Sequence, residues 1–301
     1  MHTLRVVLVA GLLASLTCVT GLRANAAPAA TSARTEVGKR ASMETMQIPS
    51  HGDLMNALVY VAAGAEPHPA VILLHGFPGN ERNLDLAQDI RRAGWDVLYF
   101  NYRGSWGTPG DFSFSHGIED TAAALAYLRQ PATAKKLRLD PSRIVLIGHS
   151  MGGFMAIQAA AADPSITAVG DLSGGDLGTM YLTLQRKNSG SEALRRLSAD
   201  LADQGMAPLS GCTPDGLARE TATHAAQWAF TARAPALKDR NVLIVTADDG
   251  LAGMNGAFAA ALRRAGDAHV TTQHFATDHS YSDKRIELSQ TVLAWLATLP
   301  K

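Results

Sequence analysis

The chain has 301 residues, of which 47% are hydrophobic, and its 27 basic residues balance its 27 acidic residues. This length and hydrophobic content are sufficient to bury a large core, and α/β folds of this size commonly form one domain. The balanced charge, without a run or stripe of Lys and Arg, excludes the electrostatic surface that nucleic-acid-binding proteins use, so no nucleic-acid partner is expected.

The first 26 residues have the pattern of a signal peptide. A basic start precedes an apolar run over residues 6–19, and Ala-Asn-Ala at 24–26 is the small-x-small site that signal peptidase prefers. The run is too short for a comfortable membrane span, so no stable membrane anchor is expected, with an uncleaved anchor as the alternative. The segment therefore predicts an exported protein, periplasmic or secreted.

The folded domain is predicted for residues 44–301. Residues 27–43 are rich in Ala, Ser and Thr without an apolar period, which is typical of a flexible leader. Strands at 46–48 and 54–61 flank a turn-rich Pro-Ser-His-Gly-Asp pentad and are expected to form an antiparallel hairpin.

From residue 70 onward, apolar runs alternate with helical patterns. The predicted strands are 70–74, 96–100, 143–147, 166–172, 242–246 and 269–275, and the predicted helices are 81–93, 118–129, 151–162, 255–265 and 283–298. This alternation predicts an α/β fold with a doubly wound, mostly parallel sheet, whose ligands bind at the carboxyl ends of the strands.

About 70 residues separate the strands at 166–172 and 242–246, far more than one helix needs. We therefore expect a helical lid or cap insertion at residues 176–235. Within it, Met180, Tyr181 and Trp228 either line a substrate pocket or only pack the insertion onto the sheet, because apolar residues at helical spacing serve both purposes.

The motif Gly148-x-Ser150-x-Gly152 follows a predicted strand and precedes a predicted helix. In this context the serine occupies a tight, strained turn, where a side chain at either glycine collides with strand or helix. The Ser150 hydroxyl is then exposed, and the helix amino end offers the Met151 N–H to a developing negative charge. A glycine-rich connecting turn is the alternative.

With a histidine and an acid following Ser150 in the required order, residues 71–296 resemble the α/β-hydrolase superfamily of serine hydrolases. The elbow is most similar to the secreted esterase and serine-aminopeptidase-like branch. The resemblance implies that Ser150 is the nucleophile and that His279, in Thr277-Asp278-His279-Ser280, is the general base.

The acid is expected after the strand at 242–246, where Asp248 and Asp249 are adjacent. The family usually has Asp-x-x-Val-Pro here, and counting back from Ala252 and Gly253 selects Asp249. This sequence departs from the pattern, because proline is replaced by glycine and the loop is one residue short. Asp248 therefore stays open.

The loop after the strand at 70–74 resembles the family's His-Gly loop, which implies that Phe77 donates the other oxyanion N–H beside Met151. The segment from Asn101 resembles the family's Arg-Gly loop. There Arg103 is expected to be a structural anchor, while Trp106 is a candidate for the pocket wall.

No cofactor and no metal are expected, since the chain has no His-x-x-x-His pair, phosphate loop or dinucleotide spacing, and signal cleavage leaves Cys212 as the single cysteine. The sequence predicts hydrolysis of a small carboxylic ester through an acyl-enzyme. A serine aminopeptidase-like enzyme acting on short peptides is the alternative. A non-catalytic binding protein on the same fold is a third possibility.

Overall fold

The computed structural model describes residues 39–65, 67–266 and 269–300. The predicted signal peptide and most of the predicted leader lie outside the described residues. The first strand begins at Ser42, two residues inside the predicted leader.

The described residues form eight strands and ten helices. The strands are β1 (Ser42–Ser50), β2 (Asp53–Val61), β3 (His68–Leu74), β4 (Asp96–Phe100), β5 (Leu139–His149), β6 (Ala168–Leu172), β7 (Asn241–Thr246) and β8 (Val270–His274). The helices are α1 (Leu84–Arg92), α2 (Phe114–Arg129), α3 (Pro131–Leu137), α4 (Met151–Ala162), α5 (Leu177–Lys187), α6 (Gly190–Asp203), α7 (Pro214–Trp228), α8 (Phe230–Leu237), α9 (Ala252–Arg264) and α10 (Arg285–Thr298).

The strands form one sheet in the order β1-β2-β4-β3-β5-β6-β7-β8. β2 pairs with β1 and β4 in antiparallel fashion, and the other neighbours are parallel. The predicted α/β class, with a doubly wound and mostly parallel sheet, is therefore confirmed, as is the first hairpin.

Both faces of the central strands are buried. On β3, Ile72 and Leu74 belong to the apolar layer under α2 and α4, whereas Val71 and Leu73 belong to the layer under α1 and α10. Since successive side chains of a strand point to opposite faces, a continuous apolar run is what a strand covered by helices on both sides requires.

The parallel register aligns the strand ends that carry the candidate residues. Leu74, at the end of β3, is opposite Gly148 on β5, and Leu172, at the end of β6, is opposite His149 on β5 and Val245 on β7. The loops that follow these strands therefore meet at one edge of the sheet, as predicted for a ligand site.

Four helices, α5–α8, fill the chain between β6 and β7, where the insertion was predicted. Their buried residues are mostly apolar, and those of α6 are Ala193, Leu197 and Leu201. The opposite face of α6 carries the exposed Arg195 and Arg196, both paired with Glu192, so the helix is amphipathic. The role of the insertion as a lid stays a prediction.

Candidate active site

The predicted elbow is a strand-turn-helix element. Ser150 has φ 57° and ψ −122°, and its N–H donates to the Leu172 carbonyl at 2.9 Å. A Cβ on Gly148 would lie 1.9 Å from the carbonyl oxygen of Gly152, and a Cβ on Gly152 would lie 2.0 Å from that of Leu74. Only glycine fits at either position, so the strained turn that exposes Ser150 depends on both.

His279 and Asp249 are hydrogen-bonded. The His279 Nδ1 atom is 2.8 Å from Asp249 Oδ2, and because an ionised carboxylate can only accept, the Nδ1–H donates. The Asp249 side chain is 4% exposed, and its Oδ1 accepts from the Leu251 N–H at 2.9 Å. This tautomer leaves the His279 Nε2 lone pair free to accept a proton.

The environment of Asp249 favours its charged form. Burial by itself raises the pKa of this carboxyl, but the hydrogen bonds from His279 and Leu251 outweigh burial and hold the pKa below its ordinary value. Asp249 is therefore ionised at neutral pH and able to stabilise a protonated His279.

Asp248 points elsewhere. Its side chain is 64% exposed and pairs with His274 Nε2 at 3.2 Å, while its N–H donates to the Thr277 carbonyl. The structure thus places Asp249, the residue selected by register, beside His279, and it places the alternative Asp248 outside that contact.

Two buried histidines support the loops around Ser150. The His149 Nε2–H donates to the His279 carbonyl at 2.8 Å, and the His75 Nδ1–H donates to the Gly76 carbonyl at 2.8 Å. Burial lowers the pKa of each to about 4. Both imidazoles are therefore neutral at pH 7, which suits their role as donors to backbone carbonyls.

The loop after β3 packs directly against the elbow. A Cβ on Gly76 would lie 3.0 Å from Ser150 Cβ and 3.5 Å from its Oγ, so the backbone that leads to Phe77 touches the serine. Phe77 and Met151 both line the cavity that reaches Ser150. Phe77 and Met151 therefore both lie beside Ser150, and their role as oxyanion donors stays a prediction.

A cavity of about 300 Å³ opens onto Ser150, Asp249 and His279. Apart from those three residues its wall is largely apolar, with contributions from α2, α5 and α6. These side chains are Phe114, Leu177, Met180, Leu197 and Leu201. Asp200 on α6 and Gln204, which directly follows α6, are exposed polar residues that also line the cavity. The shape and chemistry of this cavity suit an apolar group next to a reacting carbonyl.

A second cleft, of about 250 Å³, meets the first at Ser150 and His279. Its further lining is more polar and includes Asn80, Glu81 and Ser280. Ser150 therefore lies between an apolar cavity and a more polar one. This arrangement suits a substrate that carries chemically different groups on the two sides of the bond that is cleaved.

Three predicted pocket residues are placed away from the apolar cavity, and these predictions need correction. Trp228 packs edge-on against Phe154, with ring centroids 5.3 Å apart, and Tyr181 is 5% exposed within the apolar layer under α4. Trp106 lies under the Arg82 guanidinium and donates to the Pro78 carbonyl at 2.7 Å. None of the three rings lines the apolar cavity: Trp228 and Tyr181 are buried among neighbouring side chains, and Trp106 is fixed by its contacts with Arg82 and the Pro78 carbonyl.

The apolar cavity residues that sequence reasoning missed include Phe114, Leu197 and Leu201, whereas Met180 was anticipated. Their signal is only the apolar stripe of α6 and the start of α2, which also fits ordinary packing.

Arg103 is a structural anchor, as expected. Its Nε donates to the buried Asp120 at 2.6 Å, and its Nη2 donates to Glu119 at 2.5 Å. Asp120 also accepts from the Ser50 hydroxyl at 2.6 Å, so this network ties the loop after β4 to α2 and β1.

In the described part of the chain, no set of three or more His, Cys, Asp or Glu side chains converges in a way that could hold a metal ion. No helix within those same residues has the length and hydropathy needed to cross a bilayer.

Known proteins resemble this chain in sequence and in structure. A model of the Alpha/beta hydrolase family matches residues 71–288. The quorum-quenching protein AidA of Acinetobacter baumannii is 29% identical over 130 residues, or 41% of each protein, and an uncharacterized Mycobacterium tuberculosis protein is 33% identical over 102 residues, or 34% of each. The chain thus spans less than half the length of these curated relatives.

Solved esterase structures share the fold. A hyperthermophilic esterase from Pyrobaculum calidifontis has a TM-score of 0.61 at 20% identity, covering 84% of both chains. A thermostable carboxyl esterase from Bacillus coagulans has a TM-score of 0.61 at 16% identity, covering 85% of this chain and 98% of that one.

Proposed function

This chain belongs to the alpha/beta hydrolase family, and we propose that it is a serine hydrolase that cleaves carboxylic esters through an acyl-enzyme. The observation that carries the proposal is the hydrogen-bonded pair of Asp249 and His279, which lines one apolar cavity together with the strained Ser150. Solved esterases with the same fold support ester cleavage.

In the proposed reaction, Ser150 Oγ attacks the ester carbonyl carbon while His279 Nε2 takes the hydroxyl proton. Asp249 holds the imidazole in the tautomer with a free Nε2 and stabilises the imidazolium that forms. The N–H groups of Phe77 and Met151 donate to the oxygen as it becomes negative, and removing one such donor typically costs about 10²–10³ in kcat.

The alcohol then leaves with the proton that His279 carries, and the acyl group remains on Ser150. His279 next activates a water molecule, whose attack on the acyl carbon releases the carboxylic acid and restores the serine hydroxyl. His279 passes the Ser150 proton to the departing alcohol and later passes a water proton to Ser150 Oγ, so the cycle balances without a cofactor.

We propose an ester with an apolar portion as the substrate, because aliphatic and aromatic side chains dominate the cavity wall. A short peptide is the second candidate. It is favoured by Asp200, a cavity residue whose carboxylate makes no hydrogen bond or ion pair within the described residues and which would attract a peptide amine.

A substrate panel with a nucleophile variant tests the proposal. Wild-type enzyme should hydrolyse p-nitrophenyl esters with a higher kcat/KM than aminoacyl anilides, and Ser150→Ala should abolish this activity and fluorophosphonate labelling. Ser191→Ala, an exposed serine at the start of α6, is the matched control and should behave as wild type. A higher kcat/KM for the anilides would establish the peptidase instead.

Export is a separate proposal, and it rests on the apolar run at 6–19 and the Ala-Asn-Ala site at 24–26. Intact-mass analysis of protein recovered outside the cytoplasm should show a chain that begins at or near Ala27. A full-length chain held in the membrane would refute it.

A further inference from the structure

The His279 ring is only partly enclosed by its neighbours. Its side chain is 39% exposed, and the bond from Nδ1 to Asp249 fixes one edge of the ring. A fixed position for Nε2, which is to take the Ser150 proton, therefore also requires a fixed backbone at residues 279–280. Both carbonyl groups of that backbone accept hydrogen bonds from side chains elsewhere in the chain.

The two carbonyls are held from different elements. The His149 ring, at the end of β5, holds the His279 carbonyl at 2.8 Å. Arg285, the first residue of α10, donates from Nη1 to the Ser280 carbonyl at 3.0 Å. The loop that carries His279 is thus attached to the elbow strand on one side and to α10 on the other.

The guanidinium group of Arg285 is itself fixed by acceptors at the start of α1. Its Nε donates to Asp85 Oδ2 at 2.8 Å, and its Nη2 donates to Oδ1 of the same carboxylate. Its Nη1 donates to Asn83 Oδ1 at 3.0 Å as well as to Ser280. Four acceptor atoms therefore surround one planar group, an arrangement that an ammonium group on a flexible stem cannot reproduce.

The conformation of Asn83 is adapted to this contact. Asn83 precedes α1, at the position where an asparagine side chain usually accepts an N–H of the first turn. Here the side chain makes no such bond, the backbone is left-handed with φ 54°, and the residue is 1% exposed. The buried amide oxygen accepts from Arg285 instead. Asn80 and Glu81, just before it, line the polar cleft together with Ser280, so Arg285 joins two of the segments that form this cleft.

We propose that Arg285 is a positioning residue for the general base His279. Its guanidinium group fixes the Ser280 carbonyl relative to α1, and the loop fixed in this way holds the His279 ring where Nε2 can take the Ser150 proton. The inference rests on the proposed function, because it assigns a task to the base of that same reaction. Arg285 lines neither cavity at Ser150 and acts only through the loop that it holds. The task is geometric, so a positive charge alone does not fulfil it.

Sequence reasoning missed Arg285, because arginines are mostly exposed and one at the start of a helix is not distinctive. Its acceptors on Asn83 and Asp85 lie 202 and 200 positions away in the chain.

Arg285→Lys and Arg285→Gln test the inference. Lysine keeps the charge beside Asp85 but lacks the planar set of donors, and glutamine has one uncharged amide group. Since a displacement of about 1 Å can cost 10²-fold in rate, we expect kcat and the rate of fluorophosphonate labelling to fall roughly 10- to 100-fold in both variants. KM should stay within about threefold, because the side chain lines neither cavity.

The final extent of labelling separates positioning from stability. A displaced His279 slows the reaction of every folded chain, so the fraction of chains labelled in the end should equal that of wild type. A protein that is merely less stable contains fewer active chains, and those chains react at the wild-type rate. If Arg285→Gln does not fold, Arg285→Lys decides, because it keeps the charge beside Asp85.

Ser289→Ala and Arg240→Lys are the matched controls. Ser289, one turn beyond Arg285 on α10, also joins α10 to α1, through a bond to Asp89 at 2.5 Å, but within the described residues its side chain does not hydrogen-bond the His279 loop. Arg240 donates to the Ile166 carbonyl, which precedes β6, at 2.9 Å. Both variants should keep the kcat and the labelling rate of wild type.

Three results would overturn the positioning role and leave the proposed function standing. They are wild-type rates in both Arg285 variants, wild-type rates in Arg285→Lys alone, and a reduced labelled fraction that reacts at the wild-type rate. A wild-type enzyme whose Ser150 is not labelled would overturn the proposed function and this inference with it.

Discussion

The edge of the sheet that carries Ser150 and the insertion formed by α5–α8 are stabilised by different forces. At the sheet edge, directional hydrogen bonds fix the side chains, as between His279 and Asp249 at 2.8 Å and between His149 and the His279 carbonyl at 2.8 Å. In the insertion, the side chains that reach the cavity are held by apolar burial, as for Leu197 and Leu201.

This difference has a functional consequence. Hydrogen bonds impose distance and angle, so a change at the sheet edge should lower the rate for every substrate. Apolar contacts impose mainly volume, so a change in the insertion should alter which substrate fits and leave the chemistry intact.

The largest expected effect concerns the acid. In Asp249→Asn, the amide NH₂ can donate to His279 Nδ1, which favours the tautomer with its proton on Nε2. That tautomer cannot accept the serine proton, and the same substitution in chymotrypsin-type enzymes costs about 10⁴ in kcat. Asp248→Asn is the matched control and should retain most activity, because the Asp248 side chain pairs with His274 and not with His279 in the described residues. Steady-state kinetics on one ester compare the two. If Asp248→Asn abolished activity and Asp249→Asn did not, the contact between Asp249 and His279 would not be the one that catalysis uses.

The second effect concerns stability at acidic pH. Burial lowers the pKa of His75 from its ordinary value of 6.5 to about 4 in the folded protein. As pH falls, His75 is therefore protonated in the unfolded chain before it is protonated in the folded protein. The free energy of unfolding consequently decreases as pH falls from about 6.5 to 4. The loss from this group amounts to about 3 kcal/mol. His75→Asn preserves a donor for the Gly76 carbonyl but cannot titrate.

Urea unfolding at pH 7 and pH 4.5 measures the contribution of His75. The wild type should lose more free energy of unfolding between the two pH values than His75→Asn, and all other titrating groups cancel in the comparison. If wild type and His75→Asn lost the same free energy of unfolding, His75 would take up its proton as readily in the folded protein as in the unfolded chain.

The third effect concerns the backbone contact behind Ser150. Gly76→Ala places a methyl group 3.0 Å from Ser150 Cβ and 3.3 Å from the His149 carbonyl oxygen. The methyl group should displace the Phe77 N–H or Ser150 by up to about 1 Å. Such a displacement should lower kcat roughly 10²-fold for all esters. Gly256→Ala, in α9 with no atom within 4 Å of its added methyl, is the control and should keep wild-type kinetics. An active Gly76→Ala enzyme would remove this loop from the oxyanion site.

The smallest effect tests the insertion. Met180→Trp adds volume to the apolar wall and should lower kcat/KM for a hexanoate ester about tenfold relative to an acetate ester, because losing the fit of one or two methylenes costs about 1–3 kcal/mol. Tyr181→Phe, one residue away but outside the cavity, should leave the ratio unchanged. A ratio altered by Tyr181→Phe would restore Tyr181 to the pocket.

The sheet and the elbow were predictable because their signals are local. A buried strand such as β3 is a continuous apolar run, and the glycines at 148 and 152 are required by backbone contacts within one turn. The placement of Asp249 rather than Asp248 beside His279 followed from counting along a single loop, even though that loop departs from the usual pattern.

Other features depend on contacts that the sequence does not display. α2 begins at Phe114, four residues before the predicted start, because the Ser113 side chain accepts the His116 N–H. The short α3 was not predicted. The pocket lining is also a tertiary feature, since it depends on how helices and loops from distant parts of the chain meet.

Trapping the acyl-enzyme is the most direct test of the reaction. Wild-type protein mixed with a p-nitrophenyl ester, quenched in acid and mapped by mass spectrometry should gain one acyl group on the peptide that contains Ser150, and the modification should disappear as the ester is consumed. Ser150→Ala should gain none. Ester hydrolysis with no acyl group on Ser150, or with a stable acyl group on another residue, would contradict the account.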